Sequence, residues 1–241
     1  MTRMKPESKV PIFNAPASVV RCLALLAVVH VLLWHLLPAG GAADQIRSLV
    51  AFNTGRFSGL SDKSGLELGA AVWSFLTHQL MHGDATHLLF NSAALLIFGG
   101  GVAARIGGAR FLGLGLASGI AGALVFLAVH FGSEAVMYGA SGAVSGLTGG
   151  AFRFFFSALN RGGFARFRDN PKSVPLMTVR EALADRRFQL VAGAMVLINI
   201  LTAATGVAWE SHLGGFLFGF LCFDWFEPRR PRLEIVRPTL H

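Results

Sequence analysis

Apolar residues fall into six runs along the chain, separated by polar or charged stretches. The runs cover residues 16–37, 86–104, 111–131, 137–157, 188–205 and 207–225. Each comes close to the roughly 20 mostly apolar residues that a helix needs to cross a bilayer. The pattern predicts an all-α, polytopic membrane protein, a bundle of six transmembrane helices. The runs at 137–157 and 207–225 are weaker, because small and polar side chains interrupt them. The first run is longer than a signal-peptide core and no A-x-A cleavage pattern follows it, so it reads as a retained span. A further apolar stretch, LELGAAVWSFLTHQLM at 66–81, is short of a clean span. It reads as an interfacial or re-entrant segment, with Trp73 suited to the headgroup level. The chain thus divides into an N-terminal tail (1–15), a membrane core (16–225) and a C-terminal tail (226–241).

Composition supports a membrane setting. Of 241 residues, 53% are hydrophobic and only 14% charged, and the mean hydropathy is +0.56. Soluble domains carry about 25% charged residues. Apolar content this high excludes disorder. Two cysteines, Cys22 and Cys222, exclude a disulfide scaffold.

The net charge of +8 is a topology signal. The N-terminal tail holds Arg3, Lys5 and Lys9, the second-to-third connection Arg105 and Arg110. The end of the fourth span and the connection after it hold Arg153, Arg161, Arg166, Arg168, Lys172, Arg180, Arg186 and Arg187. The C-terminal tail adds Arg229, Arg230, Arg232 and Arg237. The alternate side has only Arg47, Arg56 and Lys63, while Arg21 lies inside the first span. Basic residues collect on the cytoplasmic side. Six spans in the cell membrane with both termini cytoplasmic are therefore expected, and contact with anionic membrane lipids. The charge is scattered over four segments, which does not suit nucleic acid.

Polar residues in the runs mark the candidate chemistry, since such groups are costly in lipid. His87 and Asn91 open the second span, four residues apart and so on one helical face. Gly139-Ala140-Ser141-Gly142 opens the fourth, and Glu210-Ser211-His212 the sixth. These three spans run in the same direction, from outside to inside. At about 1.5 Å rise per residue, their first turns share one depth. Gly142, Gly146 and Gly150 on the fourth span, with Gly215 and Gly219 on the sixth, form small-residue rows that let helices pack closely. Close approach could bring Ser141 within hydrogen-bond reach of His212, as a nucleophile and its base require. His87, Asn91 and the Ser141 backbone N–H would then supply oxyanion donors. Glu210, two positions from His212, lies on the far side of its helix, so a dyad is the better reading.

The pattern His82…His87-Leu88-Leu89-Phe90-Asn91, Gly139-Ala140-Ser141-Gly142 and Ser211-His212-Leu213-Gly214-Gly215…Gly219 resembles the rhomboid family of intramembrane serine proteases. The resemblance spans about residues 66–225. It implies a six-helix bundle whose water-filled site opens to the extracytoplasmic side. It implies Ser141 as nucleophile, His212 as base, and His87, Asn91 and the Ser141 backbone as the oxyanion hole. It also implies that 38–85 form a loop lying half in the bilayer. The chain departs from common family residues at Ser74 (often Arg), Ser145 (often Tyr) and Ser211 (often Ala).

The expected function is a serine endopeptidase that cuts single-span membrane proteins near the outer face, with neither cofactor nor metal. A catalytically silent rhomboid-like protein that binds membrane clients is the alternative, and the presence of both Ser141 and His212 speaks against it. A channel or transporter would place charges near the bilayer centre, which spans two to five lack. His78 and His82, spaced i, i+4 without an HExxH pattern, read as loop-packing residues. His30, His35 and His130 read as incidental.

Overall fold

A computed structural model describes residues 15–38, 40–58, 63–161, 163, 170–203 and 206–228. The expected tails, 1–15 and 226–241, lie outside these residues except for 15 and 226–228. The described chain is mostly helix: α1 (Ala17–Leu36), α2 (Gly41–Val50), α3 (Gly65–Thr77), α4 (Ala85–Ile106), α5 (Gly108–Val129), α6 (Ser141–Asn160), α7 (Val179–Ala184), α8 (Arg186–Ala203) and α9 (Trp209–Phe226). The last turn of α1 (Leu32–Leu36) and the middle of α4 (Leu95–Gly99) are wound as π-helix.

Four of these helices, α1, α4, α5 and α8, are long and apolar enough to cross a membrane. α6 and α9 have similar length but fall short in apolarity among the described residues. Their placement explains this. α6 is enclosed by α5 and α9 and buries Gly142, Gly146, Gly149, Gly150 and Arg153 among others. A helix shielded by protein needs small contact residues rather than a lipid-compatible surface. α8 is the opposite case. Phe188 is its one buried residue, while Leu190, Val196, Leu197, Ile198, Ile200 and Leu201 are exposed. Such a row suits lipid contact.

Among the described residues, apolar side chains pack into several clusters that fill the bundle. Leu95, Val102, Leu114, Leu147, Phe154 and Phe223 form part of the main core. Phe152, Phe156, Phe188 and Phe220 form a second cluster with edge-to-face and stacked rings. The Phe-rich stretch of α6 is thus packed core at Phe152, Phe154 and Phe156. At the same end, two buried arginines tie the bundle together. Arg105 on α4 pairs with Glu227 just past α9 and donates to the Pro171 and Val174 carbonyls, both at 2.8 Å. Arg153 on α6 pairs with Asp224 at 2.5 Å and donates to the Met177 carbonyl.

The fourth apolar run begins four residues before its helix. Val136–Met137 instead pair antiparallel with Phe52–Asn53, in the register Phe52↔Met137 and Asn53↔Val136. Thr54 reinforces the ribbon, its hydroxyl bonding the Ser133 carbonyl at 2.8 Å. The described part of the first connection is therefore a platform built of α2, the ribbon and α3. A capping box starts α3, with Ser64 and Glu67 bonding each other's backbone N–H. Trp73 is 38% exposed and donates its indole N–H to the Leu49 carbonyl.

Candidate active site

The serine turn is fixed by the platform. Gly139 N–H donates to the His78 carbonyl at 2.8 Å, and Ala140 N–H lies 3.5 Å from Nε2 of His82. Gly139 has φ +129°, a backbone conformation that side chains other than glycine rarely adopt. A β-carbon there would also meet the His87 ring at 2.8 Å. The turn places Ser141 as the first residue of α6. The first N–H groups of a helix have no intrahelical acceptor, so the backbone N–H groups of Ser141 and Gly142 take no bond from within α6.

His87 and Asn91 come from the first turns of α4. Asp84 caps this helix, accepting the His87 backbone N–H at 2.8 Å. That bond, the largest influence, holds the Asp84 carboxyl below the usual carboxylate range. Asn91 Nδ2 donates to the His87 carbonyl at 3.1 Å, which leaves its second N–H available. His82 packs its ring 5.0 Å from that of His87, and its carbonyl bonds His30 Nδ1. His78 Nδ1 bonds the Ser74 carbonyl at 2.6 Å. Among the described residues no three His, Cys, Asp or Glu side chains gather into a metal-binding group.

His87, Asn91, Ser141 and His212 line one cavity of about 860 Å³, together with Tyr138 and Ser145. Among the described hydrogen bonds none joins Ser141 directly to His212. Catalytic hydrogen bonds are often long before substrate is bound. A second, apolar groove of about 310 Å³ reaches His212 from between α8 and α9.

The glycines lie where α5, α6 and α9 meet. A β-carbon on Gly215 would overlap the Gly142 carbonyl, and one on Gly219 the Gly146 carbonyl. One on Gly146 would overlap Ser118 of α5 and lie 2.8 Å from the Gly215 carbonyl. Ser211 sits in a notch between Gly122 of α5 and Gly142 of α6. The part played by α5, through Ser118, Gly119 and Gly122, was not anticipated, although its small residues are visible in the sequence.

Two further residues have partners that the sequence does not show. His130 was read as incidental, but its Nε2 bonds Glu210 Oε1 at 3.0 Å. That contact engages the Glu210 carboxylate with the C-cap residue of α5. Asn199 on α8 places Oδ1 2.7 Å from Nδ1 of His212. Its signal in the sequence is a single Asn in an apolar run.

The fold and the cavity define a multi-pass membrane protein with a polar, serine-bearing site among its helices. Residues 69–226 match the rhomboid domain, and the chain belongs to the rhomboid family. It is 31% identical over 173 residues to the rhomboid relative YdcA of Bacillus subtilis (strain 168), covering 69% of this chain and 76% of YdcA. It is 33% identical over 126 residues to the rhomboid protease GluP of the same organism, covering 52% of this chain and 23% of GluP. It is 27% identical over 171 residues to the rhomboid protease AarA of Providencia stuartii, covering 65% of this chain and 56% of AarA. At the level of the family, this is a protease and hydrolase of the membrane.

Proposed function

We propose that this chain is an intramembrane serine endopeptidase acting through a Ser141/His212 dyad. One observation carries the reading: Ser141, His212, His87 and Asn91 line a single cavity although three helices supply them. In this mechanism Nε2 of His212 takes the Ser141 proton as Oγ attacks a peptide carbonyl. The oxyanion is held by the Ser141 backbone N–H, the Asn91 amide and the His87 ring. The His212 imidazolium then protonates the departing amine. Water, deprotonated by His212, hydrolyses the acyl-enzyme and restores Ser141. No cofactor enters these steps.

In the same proposal the six long helices all span the bilayer. Both termini face the cytoplasm, as the distribution of Lys and Arg favours. Residues 38–85 lie half in the membrane, and the cavity opens to the extracytoplasmic side. Single-span membrane proteins are the substrates, and Gly142, Gly146, Gly215 and Gly219 set the helix spacing that the dyad needs.

The test is labelling of the purified protein with a fluorophosphonate, together with cleavage of a panel of single-span substrates. Labelling should map to Ser141, and Ser141→Ala or His212→Ala should each lower kcat by a factor on the order of 10⁶. The double variant should be no worse than either single one. Measurable cleavage by folded Ser141→Ala, or an unlabelled wild-type protein that cuts nothing, would sink the protease reading in favour of client binding.

A further inference from the structure

His212 has a partner on a helix that the dyad does not involve. Asn199 lies near the end of α8, and its Oδ1 is 2.7 Å from His212 Nδ1. The other half of the amide is also engaged, with Nδ2 donating to the Met195 carbonyl at 2.8 Å. That bond fixes which way the amide points. Turning it over would face Oδ1 to the Met195 carbonyl, setting two acceptors against each other. With Oδ1 facing the imidazole, Nδ1 must carry the hydrogen, because a carboxamide oxygen only accepts. Nε2 is then left with its lone pair free. That nitrogen is the one a base needs to take a hydroxyl proton.

We infer that Asn199 is a positioning residue that holds His212 in the Nδ1–H tautomer and aims Nε2 into the cavity containing Ser141. This deepens the proposed function and rests on it.

The surroundings leave Asn199 as the only carboxamide against this ring edge among the described contacts. Glu210 is engaged by His130. Ser145, which borders His212 in both cavities, has no ring to stack on it. The bond also crosses a structural divide. α8 is the most exposed of the long apolar helices, and an apolar groove of about 310 Å³ separates it from α9 on one side. The orientation of the base therefore depends on where α8 stands. A shift of α8 that breaks this one bond releases the imidazole to rotate and to change tautomer.

The experiment compares wild type with Asn199→Ala, Asn199→Leu and Asn199→Asp. Asn199→Ala and Asn199→Leu both remove the acceptor, and Leu keeps the bulk. We expect kcat to fall about 10–100-fold in each, the range for losing a partner that orients a functional imidazole. KM should stay within about twofold, because substrate binding is not touched. Asn199→Asp restores an acceptor and should recover most of kcat. Its carboxylate favours the imidazolium, so the acid limb of the kcat profile should move to higher pH. The other titratable groups near His212, His87 on α4 and Glu210 on α9, are the same in every variant. An acid limb that does not move in Asn199→Asp would show that the side chain at 199 does not face the imidazole in the working enzyme, and would overturn the role of Asn199.

A second readout needs no substrate. In ¹⁵N-histidine-labelled protein, with His212 assigned from His212→Ala, wild type should show the Nδ1–H tautomer. Asn199→Ala should show a mixture or the Nε2–H form. An unchanged tautomer in Asn199→Ala, or unchanged kcat in both Ala and Leu variants beside an inactive Ser141→Ala, overturns the role of Asn199 and leaves the dyad standing. Absence of cleavage by wild type strikes the protease reading instead, and the imidazole spectrum still decides whether Asn199 sets the tautomer.

Discussion

A β-carbon on Gly215 would overlap the carbonyl oxygen of Gly142, so α9 and α6 touch backbone to backbone right beside Ser141 and about one turn past His212, the proposed dyad. The neighbouring pair, Gly219 and the Gly146 carbonyl, repeats the contact one turn further along. Helices this close leave no room for a side chain, and rigid backbone cannot yield as a flexible side chain can.

The expected outcome is that Gly215→Ala and Gly219→Ala each destabilise the fold by at least the roughly 1–3 kcal/mol typical of overpacking. Activity should fall with them, because separating α6 from α9 separates Ser141 from His212. Gly193→Ala is the control, since nothing lies within 4 Å of a β-carbon there. In the interior of α8 that substitution should be neutral or stabilising by up to about 1 kcal/mol. Thermal unfolding in detergent distinguishes the cases. Equal melting points for Gly215→Ala and Gly193→Ala would contradict the packing described.

The proposed oxyanion donors are open to a graded test. Asn91→Ala and His87→Ala should each lower kcat about 10²–10³-fold while the protein remains folded. Gly139→Ala should be worse than its small size suggests. It adds a β-carbon 2.8 Å from the His87 ring at a residue with φ +129°, and so disturbs donor and nucleophile together. Full turnover in Gly139→Ala would show that the His87 ring is free to move away.

The candidate site was partly legible in the sequence, and its limits are instructive. His87 and Asn91 could be paired because a helix puts i and i+4 on one face. The Gly rows of α6 and α9 were visible for the same reason. Asn199 and His212 are 13 residues apart on different helices, and no periodicity relates them. The same holds for His130 and Glu210, 80 residues apart. The start of the fourth run was misjudged because hydropathy does not separate a short apolar strand from the first turn of a helix. Val136 and Met137 extend there because Phe52 and Asn53, in a distant connection, offer the pairing.

At the opposite end of the bundle, Arg105 is 1% exposed and its guanidinium is shared between Glu227 and two loop carbonyls. Glu227→Ala leaves this cation buried without its carboxylate. Because Glu227 is itself 20% exposed, the loss should fall toward the lower end of the roughly 3–5 kcal/mol seen when buried pairs are broken. Asp224→Ala should cost less, since Asp224 is 56% exposed and water can replace it beside Arg153. A melting-temperature series that reversed this order would show that exposure does not govern the two pairs.

In the proposed mechanism, where a substrate is cut follows from where Ser141 sits. It is the first residue of α6, at the end of the helix rather than along it, and the cavity of about 860 Å³ lies at that level. A substrate span keeps its backbone N–H and C=O groups bonded to each other, because each unpaired group in lipid costs several kcal/mol. Oγ cannot reach a carbonyl inside an intact helix. The scissile segment must unwind, and it can do so only where the polar cavity receives the released groups. Gly or Pro near the cut should therefore speed cleavage, Gly by lowering helix stability about 1 kcal/mol per residue relative to Ala. The closely packed walls favour a small residue before the cut. In the proposed orientation, which puts the N-terminal end of α6 outside, the expected products come from single cuts in the outer juxtamembrane region or the first turns of the substrate span. Mass spectrometry of the fragments measures this directly. Cuts in the cytoplasmic half would require either the opposite orientation in the membrane or a nucleophile other than Ser141, and Ser141→Ala separates these two outcomes.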